Sequence, residues 1–317
     1  MREEPVVGRF APSPSGRMHL GNAFSALLAW LSVRSAGGRM ILRLEDLDTA
    51  RCNRAYCDQI EADYRWLGLD WDEGGSAGGP QYYQSSRSEH YRAALETLEG
   101  QGLLYPCFCT RSELHAASAP HLSDGTALYP GTCRSLTAAE VAERRKLRRP
   151  AVRIRVPERE ISFQDGVMGV YRERLADQCG DFILRRSDGI YAYQLAVVVD
   201  DGLMGVNQVV RGRDLLSSTP RQLWLQERLG LPHPAYYHVP LLYGGDGHRL
   251  SKRQRDVDLG ALRAAGVRPE ALVGLLACWA GLLERPEPVA ARELVPLFSW
   301  DKVGREDILV PETVIDH

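Results

Sequence analysis

The sequence predicts an α/β fold built on a parallel sheet, because two β-favouring segments flank one helical segment near the N-terminus. Residues 6–10 favour a strand, and a loop with two prolines and Gly16 follows it. Apolar side chains then recur at helical spacing over residues 20–31, and a second buried strand is predicted at residues 40–44. Strand, loop, helix and strand in this order form a βαβ unit, whose strands run parallel.

Further elements follow from apolar periodicity, alternation and capping signals. They are helices at 56–67 and 86–99, a helix opened by a capping box at Thr137 and Glu140, strands at 152–156 and 191–199, a helix opened by a capping box at Thr219 and Gln222, and a helix starting at Pro269. The basic run at residues 144–149 could contact RNA phosphates or simply end its helix in solvent, and both interpretations stay open.

The composition is that of an ordinary globular protein and excludes several functional classes. Hydrophobic residues make up 44% of the 317 residues and the formal net charge is −2, so the whole chain lacks the positive charge of a dedicated nucleic-acid binder. Its longest apolar run, residues 271–283, is too short to span a bilayer, and the N-terminus lacks the pattern of a signal peptide. We therefore expect a cytoplasmic protein that makes no membrane contact.

The strongest chemical signal follows the first strand. It consists of the run Arg-Phe-Ala-Pro-Ser-Pro-Ser-Gly at residues 9–16 and the run His-Leu-Gly-Asn at residues 19–22. A strand that ends in a loop at the edge of a parallel sheet brings that loop to the place where ligands normally bind. Gly21 leaves room for a ligand, Asn22 begins a helix whose N-terminus attracts phosphate, and His19 can donate a hydrogen bond to phosphate oxygen. This combination predicts a nucleotide site.

The same run resembles the first nucleotide motif of the glutamyl and glutaminyl branch of class I tRNA synthetases. Further along the chain, Arg249-Leu-Ser-Lys-Arg253 follows a glycine-rich stretch and is similar to the second motif of that family, Lys-Met-Ser-Lys-Ser. The resemblance implies a Rossmann-like core that uses ATP with Mg²⁺, and catalytic roles for His19 and Lys252. Lys252 would stabilise the charge that builds on the ATP phosphates. The ATP-binding residues implied are His19, Gly21, Asn22 and Lys252.

The resemblance also implies a pocket for L-glutamate between the two motifs. Glutamate carries two carboxylates and one ammonium, and arginine suits a carboxylate because its planar fork binds both oxygens. Carboxylate binding is expected of Arg9 and Arg211, ammonium binding of Glu45, and a substrate contact of Tyr193. The full set of glutamate-binding residues implied is Arg9, Phe10, Ala11, Pro12, Ser13, Glu45, Tyr193 and Arg211.

A cluster of cysteines predicts one structural zinc ion. Cys107, Cys109 and Cys133 supply three thiolates, and a reducing compartment favours metal over disulfide. A tetrahedral site needs a fourth ligand, and ligand chemistry alone favours a histidine for it. The competing residues are His115, His121 and Tyr129. The resemblance favours Tyr129, because some synthetases of this branch carry Cys-x-Cys…Tyr-x-x-x-Cys, and it implies the ligand set Cys107, Cys109, Tyr129 and Cys133.

A domain layout is implied in the same way. A full glutamyl-tRNA synthetase continues after its second motif with a large anticodon-binding domain, and the residues after Arg255 are too few for one, so we expect none. The expected units are the first half of a Rossmann-like catalytic domain at 1–104, a zinc-containing insertion of the acceptor-binding type at 105–190, the second half of the catalytic domain at 191–255, and a truncated, small helical C-terminal region at 256–317.

Within the family, the chain is similar to the truncated branch that attaches glutamate to queuosine. This resemblance implies a ligase that forms glutamyl-adenylate from L-glutamate and ATP and transfers glutamate to the queuosine base in the anticodon of tRNA(Asp); a monomer is expected. Three alternatives stay open, namely a catalytic fragment that charges tRNA(Glu), a glutamine-specific enzyme and a non-catalytic RNA-binding paralogue. The presence of His19 and Lys252 disfavours the third alternative.

Overall fold

The structure, a computed structural model, describes residues 4–110, 112–113, 128–244 and 258–311. Within these residues the strands are β1 Val7–Phe10, β2 Arg39–Leu42, β3 Glu73–Gly74, β4 Leu104–Cys107, β5 Ala151–Ile154, β6 Glu160–Asp165, β7 Gly169–Arg174, β8 Phe182–Arg185, β9 Gln208–Gly212, β10 Ala235–Val239, β11 Leu242–Tyr243 and β12 Ile308–Leu309. The α-helices are α1 Leu20–Ser35, α2 Arg54–Trp66, α3 Ser88–Gly100, α4 Ala138–Leu147, α5 Leu175–Gln178, α6 Tyr193–Leu203, α7 Thr219–Leu229, α8 Leu259–Ala264 and α9 Pro269–Trp279.

The predicted parallel sheet is confirmed, and its strand order reverses beside β1. On one side β1 pairs in parallel with β2, and β2 with β3. On the other side lies β9, joined to β1 where the backbone N–H of Asn207 donates to the Val7 carbonyl over 3.0 Å. β10 is parallel to β9, β6 pairs in parallel with β10, and β7 is antiparallel to β6. The point between β1 and β9 is therefore a topological switch point, where an α/β sheet opens a crevice for ligands.

Several predicted elements are confirmed for local reasons. Helix α1 buries its predicted apolar positions and ends just before Gly37, which adopts a left-handed φ of 62°. Helix α4 has the predicted capping box, with the Glu140 backbone N–H donating to Thr137 Oγ1 over 3.3 Å and the Thr137 backbone N–H donating to the Glu140 carboxylate over 2.8 Å. Helix α9 begins at Pro269, whose missing N–H costs nothing in the first turn.

One predicted element and one predicted capping box are wrong, although the helix predicted to start at Thr219 is present. The segment expected to be a strand at residues 191–199 is mainly the helix α6, in which all five residues from Leu195 to Val199 are buried. A continuous apolar run has no periodicity that separates strand from helix, and its valines favour the wrong choice. The expected capping box at Thr219 is absent, because Ser218 is the N-cap residue and Thr219 is already helical. The Thr219 hydroxyl is used instead in a side-chain contact described below.

The range expected to hold the metal site contributes to two sheets. Strands β4, β5 and β8 form an antiparallel sheet of their own, and Cys107 ends β4. Strand β6 belongs to the central sheet, because Asp165 lies opposite Tyr236 of β10. The basic run at 144–149 lies mostly exposed at the end of α4, where RNA contact remains a prediction. In the described parts of the chain, helices long and apolar enough to cross a bilayer do not occur.

Candidate active site

One cavity of about 420 Å³ opens where β1 and β9 end, at the switch point of the sheet. All the glutamate-binding residues expected from the sequence line it, as do the ATP-binding residues that the structure describes. The lining residues from these two sets are Arg9, Phe10, Ala11, Pro12, Ser13, His19, Gly21, Asn22, Glu45, Tyr193 and Arg211. Lys252, the remaining predicted residue, lies outside the described residues. Arg9 and Arg211, which lie about 200 positions apart in the sequence, therefore line the same concave surface.

The loop that leads into α1 is held in shape by its own motif. The side-chain oxygen of Asn22 accepts a hydrogen bond from the His19 backbone N–H over 3.2 Å, so Asn22 fixes the turn. A Cβ atom at Gly21 would lie only 3.1 Å from Cε1 of the His19 ring, which explains why glycine fits there. The ring of Phe10 stacks on Tyr64 at 4.4 Å and anchors the start of the loop. His19, the N-cap residue of α1, thereby lines the cavity at the start of the helix.

The residues on both sides of the Lys252 segment are fixed beside this loop. After the segment, Asp258 forms a β-bridge with His19, and the Leu259 backbone N–H donates to the Met18 carbonyl over 3.0 Å. Before the segment, Leu242 lines the cavity and belongs to β11, which pairs with β12. The described residues before and after the segment that carries the second motif thus lie beside the same cavity as the first motif.

A buried arginine that the sequence interpretation missed lies behind the cavity. Arg43 is fully buried, and its Nη1 donates to Asp201 Oδ1 over 2.6 Å while its Nη2 donates to Glu45 Oε1 over 3.1 Å. Burial disfavours its charge, but Asp201, Glu45 and Asp200 raise the pKa of Arg43 above its ordinary value. A charged residue directly after the apolar run Met-Ile-Leu was the sequence signal for such a buried pair.

The network continues to two further arginines. Arg87 Nε donates to Asp200 Oδ1 over 2.6 Å, and Arg9 Nε lies 3.5 Å from Asp201 Oδ1. With Arg43 and Glu45 these side chains make a set of three buried guanidinium groups and three buried carboxylates, which we call the paired network. Because its charges balance one to one, the paired network can remain ionised away from water.

Glu45 faces the cavity from the edge of the paired network. Burial raises the pKa of Glu45. The positive charges of Arg43 and Arg9 lower it in part, and the pKa remains above the ordinary value of a glutamate. A cationic group bound beside Glu45 would favour its ionised form by direct attraction. The site therefore offers a carboxylate whose ionisation becomes more favourable when an ammonium group binds.

Arg211 differs from the three arginines of the paired network because its partners carry no charge. The guanidinium is 6% exposed; Nε donates to His238 Nε2 over 3.0 Å and Nη2 donates to Thr219 Oγ1 over 2.8 Å. Nη1 lies 3.4 Å from the Tyr193 hydroxyl, at the edge of the cavity. Ion pairs formed within the described residues do not include Arg211. A buried cation that lines a cavity and lacks such a pair has a charge that favours an anionic ligand over a neutral one.

The three predicted thiolates converge in a second place, within the small antiparallel sheet region. The sulfur atoms of Cys107, Cys109 and Cys133 lie within 4.8 Å of one another, and those of Cys109 and Cys133 are 3.7 Å apart. The Tyr129 hydroxyl lies 3.6 Å from Cys107 Sγ and 4.0 Å from Cys109 Sγ. Thiolates that share one tetrahedral zinc ion stand about 3.8 Å apart when each bond is about 2.3 Å. The donor set therefore fits a tetrahedral metal ion.

The charges around this cluster also fit a cation. Burial raises the pKa of Cys109 to about 12, with the other two sulfur atoms adding to the effect. At Cys107 burial is outweighed by Arg153 and by the Tyr129 hydroxyl, so the pKa of that thiol is lowered. Three thiolates this close repel one another, and a bound cation removes that repulsion. The histidines that competed for the fourth position, His115 and His121, lie outside the described residues.

Comparisons with known proteins agree with this geometry. A family profile described as tRNA synthetases class I (E and Q), catalytic domain, matches residues 5–292. The chain is 53% identical over 316 residues to the glutamyl-Q tRNA(Asp) synthetase of Symbiobacterium thermophilum, covering 98% of this chain and 97% of that protein. It is 50% identical to the protein of the same name from Nitratidesulfovibrio vulgaris, with 98% of each covered.

A solved structure is also similar over most of the chain. It is described as a glutamate tRNA ligase from Elizabethkingia meningosepticum in complex with its amino acid. The TM-score is 0.83 at 29% sequence identity, and the match covers 97% of this chain and 67% of that one. The sequence comparisons and the structural comparison therefore both find similarity to class I tRNA synthetases that use glutamate.

Proposed function

The chain belongs to the catalytic-domain family of class I tRNA synthetases for glutamate and glutamine, and on that premise we propose that it activates L-glutamate with ATP and transfers it to the queuosine base in the anticodon of tRNA(Asp). The observation that carries this proposal is the match to glutamyl-Q tRNA(Asp) synthetases over 97–98% of their length. The enzyme is accordingly a ligase of the aminoacyl-tRNA synthetase type.

The charges of the cavity support glutamate as the amino acid. Arg9 and Arg211 are buried cations and Glu45 is a buried carboxylate, and all three line the cavity. Glutamate offers the complementary groups, two carboxylates and one ammonium. Glutamine would leave one guanidinium opposite a neutral amide, and an unpaired buried charge is costly. We therefore assign carboxylate binding to the two arginines and ammonium binding to Glu45, with Tyr193 as a neutral contact.

ATP is assigned to the loop that carries His19, Gly21 and Asn22. This loop opens the 16-residue helix α1, whose N-terminus favours phosphate oxygens. The anchored flanks of the second motif support a role for Lys252 on the same phosphates, and Mg²⁺ accompanies ATP as part of the substrate. His19 and Lys252 would stabilise the negative charge that develops during adenylyl transfer.

The proposed reaction has two steps. An α-carboxylate oxygen of glutamate attacks the α-phosphorus of ATP, the bond to the bridging oxygen breaks, and pyrophosphate leaves. A hydroxyl of the queuosine cyclopentene ring then attacks the carbonyl carbon of the adenylate, loses its proton and displaces AMP. Neither step requires a protein nucleophile, so catalysis rests on holding the reactants in line and on stabilising charge.

The acceptor is the part of this proposal that an experiment can test most directly. We expect labelled glutamate to be transferred to tRNA(Asp) that contains queuosine and not to tRNA(Asp) that lacks it. An unpaired anticodon base can be splayed out at low cost, and vicinal hydroxyls resemble those of a terminal ribose. Acid-gel and mass analysis of the product tRNA would locate the label, with Lys252→Ala as the activation-deficient control. Label on the terminal adenosine, or on tRNA(Glu), would instead favour an ordinary glutamyl-tRNA synthetase.

We also propose one zinc ion on Cys107, Cys109, Cys133 and Tyr129, supporting the fold of the small sheet region. Tyr129→Phe should weaken zinc binding by more than the about 10- to 100-fold that loss of an outer-sphere partner causes, because a direct ligand is removed. Elemental analysis of purified protein after chelator competition would measure this.

Tyr105→Phe is the matched control for that variant, since the Tyr105 hydroxyl donates to Asp181 over 2.7 Å. Equal zinc retention by the two variants would show that Tyr129 is not a ligand. Wild-type protein that contains no stoichiometric zinc under metal-replete conditions would remove the metal proposal altogether.

A further inference from the structure

Arg211 is the end of a chain of hydrogen bonds that runs away from the cavity. His238 is fully buried on β10, and its Nδ1 lies 2.6 Å from Asp165 Oδ2 on β6. Its other ring nitrogen, Nε2, accepts from Arg211 Nε over 3.0 Å. The three residues come from three neighbouring strands of the central sheet. Their side chains therefore connect a buried carboxylate, through an imidazole, to the cation that faces the cavity.

The proton positions in this chain follow from the chemistry of its two ends. A guanidinium can only donate, so His238 Nε2 must be the unprotonated nitrogen, and Nδ1 must carry the ring proton. Asp165 Oδ2 then accepts a hydrogen bond from the Nδ1–H group of His238, while its Oδ1 accepts from the backbone N–H groups of Val167 and Met168 over 3.0 and 2.8 Å. Asp165 is therefore the ionised end of the chain, and the imidazole is neutral.

A second contact supports the same tautomer. Thr219 Oγ1 accepts from Arg211 Nη2 and lies 3.3 Å from His238 Nε2, so its own proton can be donated to that nitrogen. Burial and the positive charge of Arg211 together lower the pKa of His238, although the Asp165 carboxylate opposes them. This also explains why Thr219 is not an N-cap: its hydroxyl is part of the Arg211 environment.

We propose that Asp165 and His238 are positioning residues that hold Arg211 in one orientation, with its charge available to a carboxylate of the amino-acid substrate; this inference rests on the proposed function. If a carboxylate contacted Arg211 directly, it would compete with that substrate group for the guanidinium. A neutral imidazole between the two fixes the direction of Nε–H without placing negative charge at the cavity. His238 therefore orients the Arg211 guanidinium, while the negative charge of Asp165 stays behind the imidazole and away from the cavity.

Asp165→Asn tests this assignment through the tautomer. The asparagine keeps an oxygen for the backbone N–H groups, but its amide N–H would face His238 Nδ1 and favour protonation at Nε2, against the Arg211 donor. We expect the KM for glutamate to rise about 10- to 100-fold, as for loss of an outer-sphere partner. The KM for ATP should change less than about twofold. ATP–pyrophosphate exchange measures both constants.

Two His238 variants separate positioning from bulk structure. His238→Gln can still present an oxygen to Arg211, whereas His238→Leu cannot, so glutamine should retain most of the glutamate affinity and leucine should not. Glu173→Gln is the matched control for Asp165→Asn, because Glu173 is also a buried carboxylate and lies on β7, the strand next to β6. A purely structural role predicts equal rises of both KM values in all these variants, and that result would overturn the proposal.

One measurement needs no variant to fold. Nitrogen-15 NMR of histidine-labelled wild-type protein should show a buried ring whose Nδ1 is protonated and whose Nε2 is not, and a proton on His238 Nε2 would overturn the proposal. Failure of the proposed function is a different result, namely no glutamate-dependent exchange by the wild-type enzyme. An active wild type combined with an unchanged glutamate KM in Asp165→Asn would refute the positioning role alone.

Discussion

Replacing Arg211 with glutamine is expected to reduce kcat/KM for glutamate by about 30- to 5,000-fold in ATP–pyrophosphate exchange. This range corresponds to the about 2–5 kcal/mol lost when one partner of a buried, hydrogen-bonded charge pair is truncated. The loss should be large because the hydrogen bonds of Arg211 within the described residues all go to uncharged groups. Its charge is therefore not already neutralised by the protein when a carboxylate arrives.

Arg213→Gln is the matched control for this experiment. Arg213 lies two residues further on, is 39% exposed at its side chain and pairs with Asp307 over 3.0 Å. An exposed pair of this kind contributes about 0–1 kcal/mol, so activity should change little. A similar loss in both variants would mean that the effect is not specific to the cavity. An unchanged glutamate KM in Arg211→Gln would remove this residue from the substrate site.

The residues of the candidate site could be predicted because they belong to contiguous motifs at strand ends. Arg9 and Phe10 end β1 and Ala11 to Ser13 follow it directly, and in a parallel sheet the ends of neighbouring strands meet at one edge. The local order of strand, loop and helix therefore fixes where these side chains lie. Glu45 and Arg211 follow or end other strands of the same sheet, so the family resemblance and the topology place them on the same cavity.

The supporting residues could not be predicted, because their contacts join distant parts of the chain. Arg43 meets Asp201 across 158 positions, and His238 meets Asp165 across 73. Local periodicity carries no information on such pairs, although a charged residue next to an apolar run does signal that a partner must exist. The residues that carry chemistry are thus easier to predict than the residues that hold them in place.

The misassigned helix α6 shows the same limit in secondary structure. Its run of three valines favours a strand by intrinsic propensity, but the helix is packed so that Leu195 to Val199 are all buried. Tertiary packing decides the outcome when burial is this complete. The helical form has a direct consequence for the site, because Tyr193 begins α6 at the cavity while Asp200 and Asp201 follow two turns later in the paired network.

Arg43→Met is expected to cost about 3–5 kcal/mol of unfolding free energy, the typical result of breaking a buried ion pair from one side. The paired network would then hold two guanidinium groups and three carboxylates, all largely out of water. Urea unfolding would measure the loss. The matched control is Arg39→Met at the start of β2, the strand that Arg43 directly follows, because Arg39 pairs with Glu73 at a site where its side chain is 43% exposed. That surface pair should contribute about 0–1 kcal/mol.

Charge balance makes a sharper prediction than the single variant. Asp201→Asn alone leaves three guanidinium groups and two carboxylates, but combined with Arg43→Met it leaves two of each. The double variant should therefore lose less unfolding free energy than the two single losses added together, which a double-mutant cycle measures directly. Strict additivity would show that Arg43 and Asp201 do not stabilise the fold through their mutual interaction. Partial recovery would instead establish that the residue after β2 and the helix α6 are coupled electrostatically behind the cavity.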